Sequence, residues 1–386
     1  MMSKWEMVRL GDVCKVVNGY AFDSKLFNAE SKGQPIIRIR DVVRGYTETY
    51  TTEKCKDIHI VRSDDLIIGM DGEFNISTWK SDDALLNQRV CRLDIHECSV
   101  AAGYVLYCLP KKLKEIEDAT PFVTVKHLSS KTIENIIIPL PPLSVQQKIA
   151  DILDRTVALI EKRKAQIAKL DLLVKSQFIE MFGDPVINPM GWEVKRLGDL
   201  VKVRSSKRVY QREQTTSGVP FLRISDLVDK IAYNLDTNDL YISDELYDIF
   251  LKDGVVPNVG DILVTSRGSL GLCYVVNEHD RFYFQDGMIS WLNKRDDIID
   301  SIYLSYLFLS SEIKRQIGIA SAGSTVHYLS LTHLENFSIL YPPLELQKKF
   351  AEFVKRINYH KTTFNMQKAH LDMLYKSLTQ KCFSGS

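Results

Sequence analysis

Near the end of the chain, marked positions step by three and four without a break: Phe350, Phe353, Ile357, His360, Phe364, Gln367, Leu371, Leu374 and Leu378. The same spacing holds earlier, at Ile149, Ile152, Thr156, Leu159, Arg163, Gln166, Leu170, Leu173 and Gln177. This is heptad spacing with polar interruptions, which weaken a seam and can fix its register. No Gly or Pro falls within 144–182 or 345–383. Pro141-Pro142 and Pro342-Pro343 precede these runs, and Gly183 with Pro185, and Gly385, follow them. Ser144 and Gln147 form a capping-box pattern. At 1.5 Å per residue each helix would span about 55–60 Å. The pattern predicts an antiparallel pair centred on Arg163 and Phe364, with Gln166 near His360. The competing solution is two amphipathic helices, each packed on its own domain.

Outside these helices the pattern changes to short β-branched runs bounded by Gly, Asp and Arg, which predict strands. They are Pro35 to Ile39, Leu66 to Ile68, Ile262 to Thr265 and Gly271 to Val276. Helical spacing returns near 100–109 and 301–316. Much of this is said twice. Trp5-Glu6-Met7-Val8-Arg9-Leu10-Gly11-Asp12 returns as Trp192-Glu193-Val194-Lys195-Arg196-Leu197-Gly198-Asp199. Pro141-Pro142-Leu143-Ser144-Val145-Gln146 returns as Pro342-Pro343-Leu344-Glu345-Leu346-Gln347. Between these, Pro35–Asp41 matches Pro220–Asp226, Asp65–Ile68 matches Asp261–Val264, and Val125–Ser129 matches Val326–Ser330. The period is too long for a solenoid, so each copy is a domain. Two similar domains related by a pseudo-twofold axis suit a two-part target.

Composition narrows the class. The 386 residues, 45% hydrophobic and 26% charged, suit a soluble chain of two or three domains. No apolar run approaches a membrane span, and the start lacks the apolar core of a signal peptide. The seven cysteines are scattered, odd in number and without a C-x-x-C pair, which points to a reducing, cytoplasmic setting. The net charge of +1 decides nothing about nucleic acid, because only a local basic face is needed.

The chemistry of an active site is missing. There is no P-loop and no dinucleotide fingerprint. No histidine or cysteine spacing suits a metal. The two Pro-Pro motifs lack the preceding Asn or Asp that an amino-methyltransferase would use, and they read instead as helix starts. Phosphate and base-edge chemistry is better represented. Val201 to Arg212 holds five basic residues and no acid, with Ser, Tyr and Gln among them. Two equivalent glycine-punctuated loops, 69–75 and 265–271, suit close approach to a backbone, and suit plain turns equally. The polar stretches 120–127 and 322–328 close the two domains.

The duplicated Trp-Glu opening and Pro-Pro-Leu-x-x-Gln before a long helix resemble the specificity subunit of type I restriction–modification systems, over essentially the whole chain. The resemblance implies an α+β fold: two repeated α/β target-recognition domains joined by two long antiparallel coiled-coil helices. The divisions are 1–143 and 183–343 for the recognition domains, and 144–182 and 344–386 for the spacer helices. It implies that each domain reads one half of an interrupted double-stranded DNA site. The partners would be two adenine-specific methyltransferase subunits and the motor-nuclease subunits. S-adenosylmethionine, ATP and magnesium would sit on those partners, and this chain would hold no cofactor, metal or catalytic residue. Side-chain chemistry nominates Arg38, Arg40, Lys80, Gln88, Arg89 and Lys126 for DNA contact in the first domain. It nominates Arg204, Lys207, Arg208, Arg223, Arg267, Gln285 and His327 in the second. Arg38 and Arg223 sit inside strand-like runs at equivalent positions, where a shared structural ion pair is at least as good an explanation. The spacer and partner positions are Ile149, Ile152, Leu159, Leu170, Phe350, Phe353, Ile357, Phe364, Leu371 and Leu374. The alternative is a stand-alone, two-headed architectural DNA-binding protein. An enzyme with an unrecognised site and a scaffold without a DNA role stand behind it.

Overall fold

The computed structural model describes residues 5–120, 126–233, 236–294, 298–321 and 328–383. The chain divides into two compact units: residues 1–165 with 365–386, and residues 166–364. The division cuts both long helices, so each unit holds one copy of the repeat and part of each helix.

In the first unit, Glu6–Arg9 pairs antiparallel with Ile137–Leu140, Glu6 opposite Leu140. The opening motif is thereby joined to the strand that runs into Pro141. Leu10 is fully buried and its N–H donates to the Ile136 carbonyl at 2.8 Å. Gly11 is dictated by proximity: a Cβ there would lie 3.0 Å from Glu134 Cβ and 3.2 Å from its carbonyl oxygen. A four-stranded antiparallel sheet follows, in the order Cys14–Asn18, Val90–Ile95, Leu66–Gly69, Ile76–Thr78. Its apolar face packs with the helix Ala102–Ala119 around Tyr104, Val105 and Leu109. A second sheet runs Phe27–Asn28, Tyr50–Thr51, Gln34–Ile37, Ala84–Leu86, Ile60–Val61. Its central pairing, Ile36 opposite Leu85, is parallel.

The second unit repeats the plan. Glu193–Arg196 pairs antiparallel with Ser338–Tyr341. The four-stranded sheet has the same order: Val201–Arg204, Ile289–Lys294, Ile262–Thr265, Cys273–Val275. The expected helix over 301–316 is two helices, Ser301–Phe308 and Ser311–Ser321. Two further helices, Ile224–Tyr233 and Asp244–Lys252, lengthen this copy.

Both long helices are continuous, Leu143–Phe182 and Leu344–Phe383, 40 residues each. Ser144 lies inside the first turn, so it is not the cap that the capping-box pattern predicts. The glutamine of each Pro-Pro motif does the fastening instead. Gln146 has no exposed surface; its Nε2 donates to the Ser99 and Pro141 carbonyls, both at 2.8 Å, and its Oε1 accepts the Ala101 N–H at 2.9 Å. Gln347 makes the equivalent bonds to Pro342 and Asp300. Each helix is thus tied to its own sheet-and-helix core by a buried amide.

Within the second unit the helices run antiparallel. Phe182 lies 5.5 Å from Phe350 between ring centroids, and Asp171 pairs with Lys361 at 2.6 Å. The heptad expectation needs a correction of one position in alternate steps. On the first helix the covered row is Ile149, Leu153, Thr156, Ile160, Arg163, Ile167, Leu170 and Val174, all buried or half-buried. Ile152 and Leu159 are 51% and 49% exposed. On the second helix the row is Phe350, Val354, Ile357, Lys361, Phe364, Lys368, Leu371 and Tyr375. Leu374 is 42% exposed, and Gln166 and His360 are also exposed. Phe353 is partly covered, against the core of the second unit. The reason is that 3-4 and 4-3 stepping share every seventh residue. The first helix carries apolar residues in both adjacent rows: 152 and 153, 159 and 160, 173 and 174.

Candidate nucleic-acid interface

In each unit four loops at the ends of the four-stranded sheet are joined by hydrogen bonds, and in the first unit they close into a ring. In the first unit, Gly19 N–H donates to the Val90 carbonyl at 3.1 Å and Gln88 N–H to the Tyr20 carbonyl at 2.9 Å. Met70 N–H donates to the Arg89 carbonyl at 3.0 Å, Gly72 N–H to Lys126 at 2.9 Å, and Leu128 N–H to Met70 at 2.7 Å. Ser130 Oγ closes the ring on Asn18 Oδ1 at 2.5 Å. The ring brings together Tyr20, Asp71, Gln88, Arg89, Lys126 and His127.

The glycine loop of this ring is anchored from behind. Glu117 is buried, and its Oε2 accepts the Phe74 N–H at 3.0 Å while Oε1 takes Lys114 Nζ at 2.6 Å. The Lys114 bond, and then the Phe74 N–H, hold the Glu117 carboxyl below the usual carboxylate range. Lys126 Nζ donates to the Glu117 carbonyl.

The second unit joins its equivalent loops in series. Ser266 N–H donates to the Met288 carbonyl at 2.8 Å, and Leu329 N–H to Ser266 at 3.0 Å. Gly287 N–H reaches Ser205 Oγ at 3.3 Å, and Arg208 Nε reaches Asp286 at 2.8 Å. Two isolated bridges, Asp71 with His127 and Arg267 with Tyr328, occupy equivalent places. The residue after each bridge is a glycine with left-handed φ, +73° at Gly72 and +63° at Gly268. Among the described residues neither has an atom within 4 Å of the position a Cβ would take.

The same backbone carries different chemistry in the two copies. Asp71 holds Arg89 at 2.8 Å and His127 Nδ1 at 2.6 Å. At the corresponding place Arg267 is exposed, with its guanidinium carbon 5.2 Å from the Tyr328 ring centre. No acceptor for its fork is present among the described residues.

The nominated residues divide accordingly. Arg89, Gln88 and Lys126 are on the ring of the first unit; Lys207, Arg208, Arg267 and Gln285 are on the loops of the second. Arg38 and Lys80 are exposed and lie off the ring. Arg40 bonds Thr49 Oγ1 at 3.2 Å. The Arg204 guanidinium lies 4.4 Å over Trp291 and donates to the Gly254 carbonyl at 3.2 Å. Lys207 pairs with Asp253 at 3.4 Å. Arg223 pairs with buried Asp226 at 3.1 Å and with Asp239 at 2.6 Å. The ion pair weighed for Arg38 and Arg223 is therefore present in one copy. In the other, Asp41 accepts the Arg38 backbone N–H at 2.9 Å, but the Arg38 guanidinium does not pair with it. His327 and the stretches 121–125 and 322–327 lie outside the described residues. Sequence reasoning missed Asp71, His127, Asp286 and Tyr328 as site residues. The repeat alignment contained the signal, since 69–72 matches 265–268 and 127 matches 328.

Among the described residues no group of His, Cys, Asp and Glu could hold a metal, and no helix is long and apolar enough to cross a membrane. A sequence model described as the type I restriction modification DNA specificity domain matches residues 2–170 and 189–370. The type I restriction enzyme EcoBI specificity subunit of Escherichia coli is 28% identical, over 99% of this chain and 86% of its own. The MjaVIII specificity subunit of Methanocaldococcus jannaschii is 25% identical, over 92% and 86%. Among solved structures, the type I restriction-modification S subunit from M. genitalium aligns over 99% of this chain and 96% of its own, with a TM-score of 0.64 at 15% identity. That likeness carries the fold.

Proposed function

The chain belongs to the type I restriction–modification DNA specificity family, and from that premise we propose that its two units each read one half of an interrupted double-stranded DNA site. The observation that carries this is the pair of loop clusters at equivalent places in the two copies, which share the bonds Leu128 to Met70 and Leu329 to Ser266 and differ in side chains. One scaffold used twice with different contact chemistry suits a site whose halves differ in sequence. The long helices set the distance between the halves and dock two adenine-specific methyltransferase subunits, with the motor-nuclease subunits joining that complex in the cytoplasm. S-adenosylmethionine, ATP and magnesium belong to those partners, and this chain contributes the address.

Matched insertions test the spacing role. Seven residues added after Lys169 and seven after Thr362 preserve the heptad and lengthen the pair by about 10 Å. B-DNA rises about 3.4 Å per base pair, so the unread gap should grow by about three pairs, with both half-sites intact. Mapping methylated sites in the host genome reads this directly. Altered half-sites, or an unaltered gap, would reject the spacer role.

A further inference from the structure

We propose that Arg267 reads a guanine in the half-site addressed by the second unit. The assignment rests on the DNA-reading function proposed above. Three features single out this side chain. It is exposed at the bridge that joins two loops of the second cluster, beside a glycine turn with no described atom against it. Its fork holds no acceptor among the described residues, whereas Arg204, Arg208, Arg223 and Arg281 hold the Gly254 carbonyl, Asp286, Asp226 and Asp244; Arg212, over Tyr210 at 5.4 Å, shares this feature but is no part of the bridge. Its guanidinium lies against the Tyr328 ring, which restricts its rotation without consuming its donors.

A guanidinium fork held in place with its N–H groups unspent matches the O6 and N7 acceptors of guanine in the major groove. A phosphate would accept the same fork, and the two differ in readout: a base contact relaxes one position, a phosphate contact weakens all sites evenly. The equivalent place in the first unit cannot make this contact. Asp71 is an acceptor, and Arg89 and His127 already bond it. The predicted guanine therefore belongs to one half-site only.

The test is a genome-wide methylation map of the host carrying the wild-type gene, Arg267→Ala, Arg267→Gln or Arg267→Lys. Arg267 is exposed, so thermal melting of the purified chains should coincide. Discrimination at one guanine of one half-site should fall by roughly 5- to 150-fold in all three variants. The other half-site should be unchanged. Lysine keeps the charge and loses the fork, so it separates base reading from phosphate contact. An unchanged motif in every variant overturns the proposal. So does a motif unchanged in Arg267→Lys but weakened evenly in the neutral variants, or relaxation at a base other than guanine. Deleting the gene tests the parent reading separately: if no bipartite methylation disappears, the DNA-reading function itself fails.

Discussion

Gln347 Oε1 accepts the backbone N–H of Asp300 at 2.9 Å, at the entrance to the helix Ser301–Phe308. Asp300 in turn caps that helix, its Oδ1 accepting the Ile302 and Tyr303 N–H groups at 2.8 and 3.0 Å. The long helix is thereby locked to the domain that precedes it. Gln347→Leu fills the space but leaves the Asp300 N–H and the Pro342 carbonyl without their partner. It should cost about 3 kcal/mol, read as a lower urea midpoint by circular dichroism.

The helix stripe gives a paired test. Leu153 is fully buried and Ile152 is half exposed. Leu153→Ala should destabilise by about 2–5 kcal/mol, whereas Ile152→Ala should stay within about 0.5 kcal/mol. Equal losses would contradict the placement of the stripe.

Glu117 should make the first unit acid-sensitive. Its folded carboxyl titrates below its unfolded counterpart because Lys114 and the Phe74 N–H stabilise the charged form. The stabilisation is present above the unfolded value of about 4.3 and disappears as pH falls through the lower folded value. Glu117→Gln should lower stability at pH 7 and flatten its decline below about pH 4.5. Urea midpoints across that range check the sign.

Arg223 should report on folding rather than on base choice. Its removal leaves the nearly buried Asp226 with the Arg223 backbone N–H and Ser225 Oγ as donors. Arg223→Ala should cost about 1–3 kcal/mol and leave the methylated motif unaltered. A relaxed motif in a chain of normal stability would return Arg223 to the DNA contacts.

The repeat was legible as collinear motifs, and the two long helices and single strands such as Leu66–Gly69 and Ile262–Thr265 were legible because their signals are local; the order of strands in the four-stranded sheets was not. Gly and Pro bracket the helices, and β-branched runs such as Ile262–Thr265 stand alone. The helix stripe was ambiguous because Ile152 and Leu153, and Leu159 and Ile160, are both apolar pairs. The partners of the basic residues were illegible for another reason. Arg208 finds Asp286 and Lys207 finds Asp253 across large sequence separations, and nothing in the basic run from 201 to 212 names those aspartates. Asp41 and Asp226 illustrate the middle case. Their place after a strand predicts a turn, and each accepts the N–H three residues earlier, but only the second also binds the arginine there.

Most of the contacts that join the loops are main-chain: Leu128 to Met70, Leu329 to Ser266, Gly72 to Lys126. Positions 71, 127, 267 and 328 can exchange residues without breaking them. A lineage carrying this architecture could acquire a new genomic vocabulary one letter at a time, its framework untouched, and an invading phage adapted to the old vocabulary would meet an unfamiliar one.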